Sequence, residues 1–479
     1  MNGWIMSFRS TAWSSSADAW IWMFMLSFVA WALVVLLTVL TSPFWLRLII
    51  KKATGRATAL LFTEPYTKNV LEGVTALRKV GLQWTVENEL RAHTGTPLEK
   101  PIGTSRTFPH FDGLLFSSAQ LHRRPLDHSV SIEMETVIGR RAKRPLVISM
   151  PVMVTGMGYG VALSKSFERA IAKGTSMVGT AFNTGQGPVL QEFRDLARHL
   201  VVQYHGAPWK PSAPVLRQAD MVEIRFGQGA NAGAGTVVSA NGLNERVKRD
   251  LKMSSSDSYT YIPAGQPEVR RMHDLQNLIH RLRLDSDGAP IAVKLAAGHD
   301  IEQDIKIAVQ AGADVLVIDG AQGGTHSSPA ILVDDFGLPT LAALCRAVRF
   351  LEHSGYRSKV DLIISGGIRT PGDMLKALAL GANAVYIGTA ALFAVVHTQI
   401  VKVIPMEPPT QLAWANAELL SKFEEDEGAQ SLARFLNGCM EEMKNGVRAL
   451  GKQSVHDVNR EDLVSYDVDV ARITQLPLV

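Results

Sequence analysis

The pattern of hydrophobic and polar positions changes along the chain, from one long apolar run near the N-terminus to a repeating pattern beyond residue 140. In the repeating part, a short β-branched run ends in glycine or a polar residue, and an amphipathic helical stretch follows. This alternation is typical of βαβ units in a parallel sheet. The predicted strands are 146–150, 177–181, 200–204, 221–226, 291–296, 314–319, 361–365 and 384–388.

Eight such repeats favour a closed barrel. A (β/α)8 TIM barrel typically takes about 250 residues, and the 479-residue chain leaves room for extensions. A doubly wound open sheet is the alternative, but eight short strands favour closure. We therefore predict an α/β protein with a short flank (1–19), a transmembrane helix (20–42), a lead-in layer (43–140), the barrel (141–400) and a C-terminal helical tail (401–479).

The apolar run from Trp20 to Leu40 has about the length that a helix needs to cross the hydrocarbon core of a membrane. Aromatic residues, which favour the membrane interface, stand at both ends of the run. The four basic residues that follow it are Arg47, Lys51, Lys52 and Arg56. Because positive charge favours the cytoplasmic side, we predict a single-pass protein of the inner (cytoplasmic) membrane with its catalytic domain in the cytoplasm.

A cleaved signal peptide and a buried core helix are the alternatives to an anchor. A signal peptide carries its positive charge before the apolar run and a small-residue cleavage site after it. Here the charge follows the run, and Ser42-Pro43-Phe44 is a poor cleavage site. A run of this length is more typical of a membrane span than of a core helix. The pattern therefore favours an anchor.

Composition limits the class of function. Hydrophobic content of 46% and charged content of 20% are ordinary for a globular protein. The net charge of +4 is small and predicts no nucleic-acid partner. Two cysteines, Cys345 and Cys439, are too few for a disulfide framework, a structural zinc site or a cysteine-ligated iron–sulfur cluster. No metal site is predicted.

Glycines follow the last two predicted strands. Gly366 and Gly367 come directly after strand seven, and Gly388 ends strand eight, with Thr389 next. In TIM barrels these two loops often bind phosphate, with a helix N-terminus directed at it. Ordinary βα turns also favour glycine, but two such loops at the right strands predict a phosphate site.

Three polar residues lie in or directly after apolar strands. Lys294 lies alone in strand five, where a buried cation is costly unless it meets an anion. A reduced flavin or a carboxylate such as Asp319 would serve. Arg225 and Gln228 lie at the end of strand four, where Arg225 would bind an acidic substrate or cofactor, or would pair with Glu223 or Asp319.

A series of short motifs resembles the FMN-binding synthase domain of glutamate synthase, and more closely its stand-alone relatives. The resemblance runs from about residue 111 to the C-terminus. Its motifs include, in order, Phe111-Asp112-Gly113, Gly156-Met157-Gly158-Tyr159-Gly160, Asn183-Thr184-Gly185-Gln186-Gly187, Glu223-Ile224-Arg225-Phe226-Gly227-Gln228-Gly229, Gly323-Gly324-Thr325, Gly366-Gly367-Ile368-Arg369-Thr370 and Gly388-Thr389-Ala390.

The resemblance implies FMN as the cofactor and assigns roles to residues of this chain. Lys294 is implied near flavin N1, and Gln228 at the border of the pocket for 2-oxoglutarate or 2-iminoglutarate. The other implied cofactor-binding residues are Thr155, Gly156, Met157 and Asn183 around the flavin ring, and Gly323, Gly324, Gly366, Gly367, Gly388 and Thr389, most of them at the phosphate.

The sequence departs from the family pattern in three ways. These departures weaken the expectation of 2-oxoglutarate specificity more than the expectation of FMN binding. The family's cysteine cluster after strand eight is replaced by Val395-Val396-His397-Thr398-Gln399. A nucleophilic N-terminal cysteine and a glutaminase domain are absent, so we expect a separate source of ammonia. Asn231 stands where the family has a lysine near the substrate.

The function implied is hydride transfer between FMN and a small imino or oxo acid such as 2-iminoglutarate, by an oxidoreductase acting on CH–NH2 donors. Its electrons would come from NAD(P)H, a partner reductase or a membrane carrier. One alternative is an FMN oxidoreductase for an unrelated amine or hydroxy acid, coupled to a membrane electron carrier. Another is a membrane-tethered flavoprotein without turnover.

Overall fold

The computed structural model describes residues 14–479, so the first thirteen residues of the predicted flank lie outside it. The chain divides into two compact units, Met1–Thr96 and Pro97–Val479. In the described part of the first unit, the α-helices are Ser14–Thr63, Val70–Val80 and Leu82–Thr94. Asn69 caps the second helix by accepting from the Leu71 N–H at 3.0 Å.

The first helix contains the predicted span and continues beyond it. Its part Trp20–Thr63 is long and apolar enough to cross a membrane, and nothing in its most apolar stretch is buried. Pro43 lies inside the helix, so the helix does not end at residue 42. Thr38 and Thr41 donate their hydroxyls to carbonyls one turn earlier, which keeps these polar groups bonded within the helix. A signal sequence and a soluble core helix meet the same criterion of length and composition.

The second unit contains a closed barrel of eight parallel strands, as the repeats predict. The barrel strands are β1 (Val152–Val154), β2 (Ala181–Asn183), β3 (His199–Tyr204), β4 (Met221–Arg225), β5 (Ile291–Ala296), β6 (Val315–Asp319), β7 (Asp361–Ser365) and β8 (Ala384–Ile387). The barrel closes where β8 pairs with β1, in the register Tyr386 to Met153. Strands β3 to β8 agree with the predicted bounds to within one residue.

The predictions for the first two strands were wrong. Leu146–Ile148 is a strand, but it pairs antiparallel with Thr136–Ile138, and Val147 between its two buried neighbours is exposed. The barrel begins instead at Val152–Val154, which is buried at all three positions. Residues 177–178 end the helix Lys165–Val178, because Gly179 adopts φ +73° and stops it. The second strand starts only at Ala181.

The hairpin of Thr136–Ile138 and Leu146–Ile148 fills one end of the barrel. Ile138, Leu146 and Ile148 join the apolar cluster inside the barrel, together with Ala181 and other strand residues. The hairpin is also tied to the start of β7, since the Gly139 N–H donates to Asp361 Oδ2 at 2.7 Å. The amino end of the barrel is therefore a packed core, and the carboxyl end remains for a site.

Helices surround the barrel, and their apolar faces cover the strands. One helix follows each strand in turn: Lys165–Val178, Gln191–Leu196, Ala213–Leu216, Met272–Asp285, Ile301–Gln310, Thr340–His353, Pro371–Ala379 and Thr389–Val396. The long segment after β4 contains the hairpin Thr236–Ser239 and Tyr259–Ile262 with the helix Glu245–Asp250 between its strands. The loop after β6 contains the strand Ser328–Pro329, paired with Glu99–Lys100, and the helix Ala330–Asp334.

The C-terminal segment contributes to the wall of the barrel unit. Its helices are Glu425–Ala449 and Val468–Thr474, and its strand Leu463–Ser465 pairs with Leu114–Phe116. The long helix packs beside the helix that follows β1, where Arg169 pairs with Glu425 at 2.9 Å. It also contacts the helix after β8, because Ser431 Oγ donates to the Ala394 carbonyl at 2.6 Å.

Candidate active site

A cavity of about 870 Å³ opens at the carboxyl ends of the barrel strands. In TIM barrels this end carries the site, because the βα loops converge there. The sequence-predicted residues that line the cavity are Thr155, Gly156, Met157, Gln228, Lys294, Gly323, Gly324, Gly366, Gly367, Gly388 and Thr389. Two predicted residues, Asn183 and Arg225, lie behind this lining.

The loops after β7 and β8 meet along one side of the cavity. Gly366 and Gly367 adopt φ +109° and +69°, which favours glycine. A Cβ on Gly366 would lie 2.6 Å from Thr340 Oγ1. The helix Thr389–Val396 begins directly after Gly388, and the first N–H groups of a helix have no partner within it. These backbone groups and the helix dipole make the side of the cavity suited to an anion.

The loop after β6 borders the same side. A Cβ on Gly324 would lie 2.8 Å from Thr389 Oγ1, so only a glycine lets these two loops approach this closely. Asp319 ends β6 and holds the loops together: it accepts from Ser365 Oγ at 2.5 Å and from the Gly229 N–H at 3.0 Å.

Lys294 places a buried ammonium group at the cavity wall. Its side chain is 2% exposed, and Nζ donates to Thr155 Oγ1 at 3.1 Å. Nζ also lies 5.9 Å from the centre of the Tyr386 ring. In the described structure Lys294 bonds to Thr155 rather than pairing with Asp319, which accepts from Ser365 and Gly229. The ammonium is therefore available to a negatively charged ligand.

A buried polar network supports the floor of the cavity. Glu223 Oε1 accepts from Asn183 Nδ2 at 3.0 Å and from Gln203 Nε2 at 2.6 Å. Asn183 Nδ2 also lies 3.3 Å from the Tyr386 hydroxyl. Burial raises the pKa of Tyr386 well above its ordinary value, and the Glu223 charge adds to this, so the phenol stays protonated. Asn183 thus supports the wall from behind.

The loop after β1 is fixed by a buried carboxyl group. Glu168 Oε1 accepts from the Gly158 N–H at 2.8 Å, next to Gly156 and Met157 in the lining. Burial raises the pKa of Glu168 to about 8. At neutral pH the carboxyl is therefore mostly protonated, and the loop is held without a buried charge.

The loop after β4 brings Gln228 to the cavity but keeps Arg225 behind it. Arg225 is 1% exposed and donates from Nη2 to Asn231 Oδ1 at 2.7 Å. Burial lowers the pKa of Arg225 to about 10, an effect that Asp319 opposes. Asn231 also donates to Thr236 Oγ1 at 3.3 Å. The arginine remains charged and orders the loop that carries Gln228.

Several lining residues are not evident from the sequence pattern. They are Gln186, Gln203, Asp319, His326, Arg369, Tyr386, His397, Trp414, Arg434 and Phe435, among others. Gln186 and Arg369 lie in sequence motifs that indicate which loops form the site. The motifs do not show which of their side chains face the cavity. Trp414 and Arg434 lie in the C-terminal segment, and no local pattern connects them with the barrel.

Residues 116–453 match the family model described as the conserved region in glutamate synthase. The chain belongs to the glutamate synthase family. It is 34% identical over 406 residues to the glutamate synthase large subunit-like protein of Rhizobium meliloti (strain 1021), which covers 81% of this chain and 91% of the relative. It is 30% identical over 408 residues to the archaeal-type glutamate synthase (NADPH) of Thermotoga sp. (strain RQ2), covering 79% and 80%.

The motif-based resemblance is confirmed by these matches.

Among solved structures, a mutant flavocytochrome b2 with pyruvate bound aligns with a TM-score of 0.49 and 16% identity, over 76% of this chain and 77% of that chain. Membership of the glutamate synthase family, together with a closed parallel barrel, supports a flavoprotein oxidoreductase.

Proposed function

We propose that the protein binds FMN at the carboxyl end of its barrel and transfers a hydride between FMN and a small imino or oxo acid such as 2-iminoglutarate. One observation carries the proposal. A single cavity joins a side suited to an anion, formed by the loops after β7 and β8, to a wall that holds the buried ammonium of Lys294. Relatives named glutamate synthase support the substrate class.

The residues present fit FMN at both of its ends. The phosphate would lie against Gly366, Gly367, Gly388 and Thr389, with Gly323 and Gly324 beside it. The close approach of Gly324 to Thr389 leaves backbone rather than side chains on this surface. The flavin ring would lie against the loop after β1 and Lys294. A cation there matches the negative charge that a reduced flavin carries near N1.

When bound, FMN supplies hydride transfer at N5. The chain's own residues would bind and orient the flavin and the substrate. Lys294 would stabilise negative charge at the ring, and the protonated Tyr386 belongs to the same wall of the cavity. Gln228 offers an amide to the substrate, and Arg225 would position it through Asn231. Arg225 is thus a positioning residue.

A second candidate, an unrelated amine or hydroxy acid as substrate, is favoured by Asn231. Its amide is 4% exposed and already bonded to Arg225 and Thr236, so it offers no cation to a second carboxylate. In either case the electron partner would be separate, and glutamate formation would need ammonia from another source.

We also propose that residues 20–42 cross the inner membrane once, with the barrel on the cytoplasmic side. The support is the apolar helix and the basic residues that follow it. Extraction of membranes with alkaline carbonate tests this, since an anchored protein stays in the pellet. Recovery in the soluble fraction would contradict it.

Spectroscopy of the purified protein tests the cofactor and the substrate in one experiment. We expect a flavin absorbance spectrum, release of FMN rather than FAD on denaturation, and anaerobic bleaching by the true donor. Bleaching by glutamate supports the family reaction. Bleaching by another amine or hydroxy acid, with none by glutamate, supports the second candidate. Flavin that no donor or acceptor changes would indicate a protein without turnover.

A further inference from the structure

The cavity has a second part that the barrel strands do not build. We call it the outer lobe and define it by Ala162, Leu392, Phe393, Trp414, Arg434 and Phe435. Two of its walls are the helix after β8 and the C-terminal helix Glu425–Ala449. The lobe adjoins the proposed flavin surface, since Ala390 and Thr389 of the same helix also line the cavity.

The outer lobe is held in shape by backbone and side-chain bonds. The Ala415 N–H donates to the Ala162 carbonyl at 2.8 Å, and Ser164 donates to the Ala413 carbonyl at 2.8 Å, which fixes the residues on either side of Trp414. The Trp414 indole packs edge-on against His326, with ring centres 4.8 Å apart. The lobe is therefore a built pocket.

The walls and the opening of the lobe are mainly apolar. Trp414 and Leu392 are buried, whereas Phe393 and Arg434 are exposed, so the lobe reaches the surface at these two residues. Phe393 at this opening is 38% exposed. An exposed aromatic side chain at the mouth of an apolar pocket suits contact with an apolar ligand.

We propose that the outer lobe binds a lipid-soluble quinone as the protein's electron partner. This inference rests on the proposed flavin function. Aromatic and aliphatic walls suit a flat quinone ring with an apolar tail, and the Arg434 guanidinium is a donor for a ring carbonyl. The apolar N-terminal helix supplies the reason for a lipid-soluble partner, since a membrane anchor keeps the protein where quinones dissolve.

The electrons balance without another reactant. Oxidation of an amino acid to its imino acid breaks the Cα–H and one N–H bond and releases two electrons and two protons. Reduction of a quinone forms two O–H bonds and takes up two electrons and two protons, giving a quinol. The reverse direction balances equally.

Binding of a short-tail benzoquinone to the full-length, FMN-loaded protein in detergent tests the proposal. Quenching of tryptophan fluorescence reports binding, and Trp414→Phe should remove most of the saturable quenching. Phe435→Glu places a carboxylate in the apolar lobe and should weaken binding at least about tenfold. Phe393→Glu, at an exposed position, repeats this test if the first variant folds poorly. Phe336→Glu is the matched control, because Phe336 is exposed and lies outside the cavity lining.

Equal quinone affinity in the wild type and both lobe variants, or saturable binding of NADPH with none of the quinone, would overturn the assignment. Flavin absorbance is recorded in every sample. Failure to retain FMN would therefore count against the proposed function, whereas retained FMN without quinone binding would count against the outer lobe alone.

Discussion

The two ends of the barrel are built on opposite principles. At the amino end, the hairpin Thr136–Ile138 and Leu146–Ile148 fills the interior with branched apolar side chains. At the carboxyl end, the interior remains open, and a polar atom of the cavity lining, Gln186 Nε2, is buried without a partner. Unsatisfied buried polar atoms reduce stability, so one end contributes stability and the other retains groups for a ligand.

This comparison predicts that mutations at the two ends act on different measurements. At the amino end, the free energy of unfolding should change and flavin affinity should not. At the carboxyl end, variants of the cavity lining should change binding and turnover with little loss of stability, whereas Glu168, buried behind the lining, should affect stability through its pH dependence. The following variants test this division, from the largest expected effect to the smallest.

Ile148→Ala should lower the free energy of unfolding by about 2–5 kcal/mol, because it leaves a cavity in the closed end of the barrel. Denaturant unfolding in detergent measures this. Val147→Ala, on the same strand but 40% exposed, is the matched control and should cost far less. Weaker FMN binding by the folded Ile148→Ala protein would contradict the predicted separation of stability at the amino end from binding at the carboxyl end.

Lys294→Met should slow substrate-dependent flavin reduction by about 100- to 1000-fold, because it removes the cation that stabilises charge at the flavin ring. Rapid-mixing absorbance measures the rate, and flavin content should be retained. Lys306→Met, on an exposed helix position outside the barrel, serves as the control. An unchanged rate would show that Lys294 does not contribute to flavin reduction.

Glu168→Gln should change how stability depends on pH. Burial raises the pKa of Glu168 from 4.5 to about 8, so folding favours the protonated carboxyl. That stabilisation is complete below about pH 4.5 and is lost as pH rises toward 8. Relative to Glu168→Gln, the wild type should therefore lose about 5 kcal/mol across this window. Parallel pH profiles of the two proteins would contradict the assignment.

Thr389→Asp should weaken FMN binding by roughly 10- to 100-fold, because a carboxylate at the start of this helix repels phosphate. The same charge favours the helix N-terminus, so stability should not fall. Thr370→Asp makes the identical change at the start of the next helix back, outside the cavity lining, and should leave FMN affinity unchanged. Equal affinities for the two variants would place the phosphate elsewhere.

Local pattern was sufficient for most of the barrel but not for its first two strands. Two apolar β-type runs, 146–148 and 152–154, lie four residues apart, and sequence alone does not show which one joins the parallel sheet. The choice depends on pairing with β8 and on the hairpin that fills the amino end, which are contacts distant in sequence.

For the site, sequence indicated loops better than it indicated individual side chains. Glycine motifs indicated the loops that line one side of the cavity, and the lone Lys294 in an apolar strand indicated the cation at its wall. Arg225 was predicted either to bind an acidic ligand or to pair with Glu223 or Asp319, yet its side chain donates to Asn231. Trp414 and Arg434 reach the cavity only through packing of the C-terminal segment, for which the sequence carries no local signal.

Titration of flavin-stripped protein with FMN and with riboflavin tests the central claim most directly, because the two ligands differ only in the phosphate. If backbone groups after β7 and β8 bind that phosphate, FMN should bind at least about 100-fold more tightly than riboflavin. Equal affinities, or no binding of either flavin, would contradict the account.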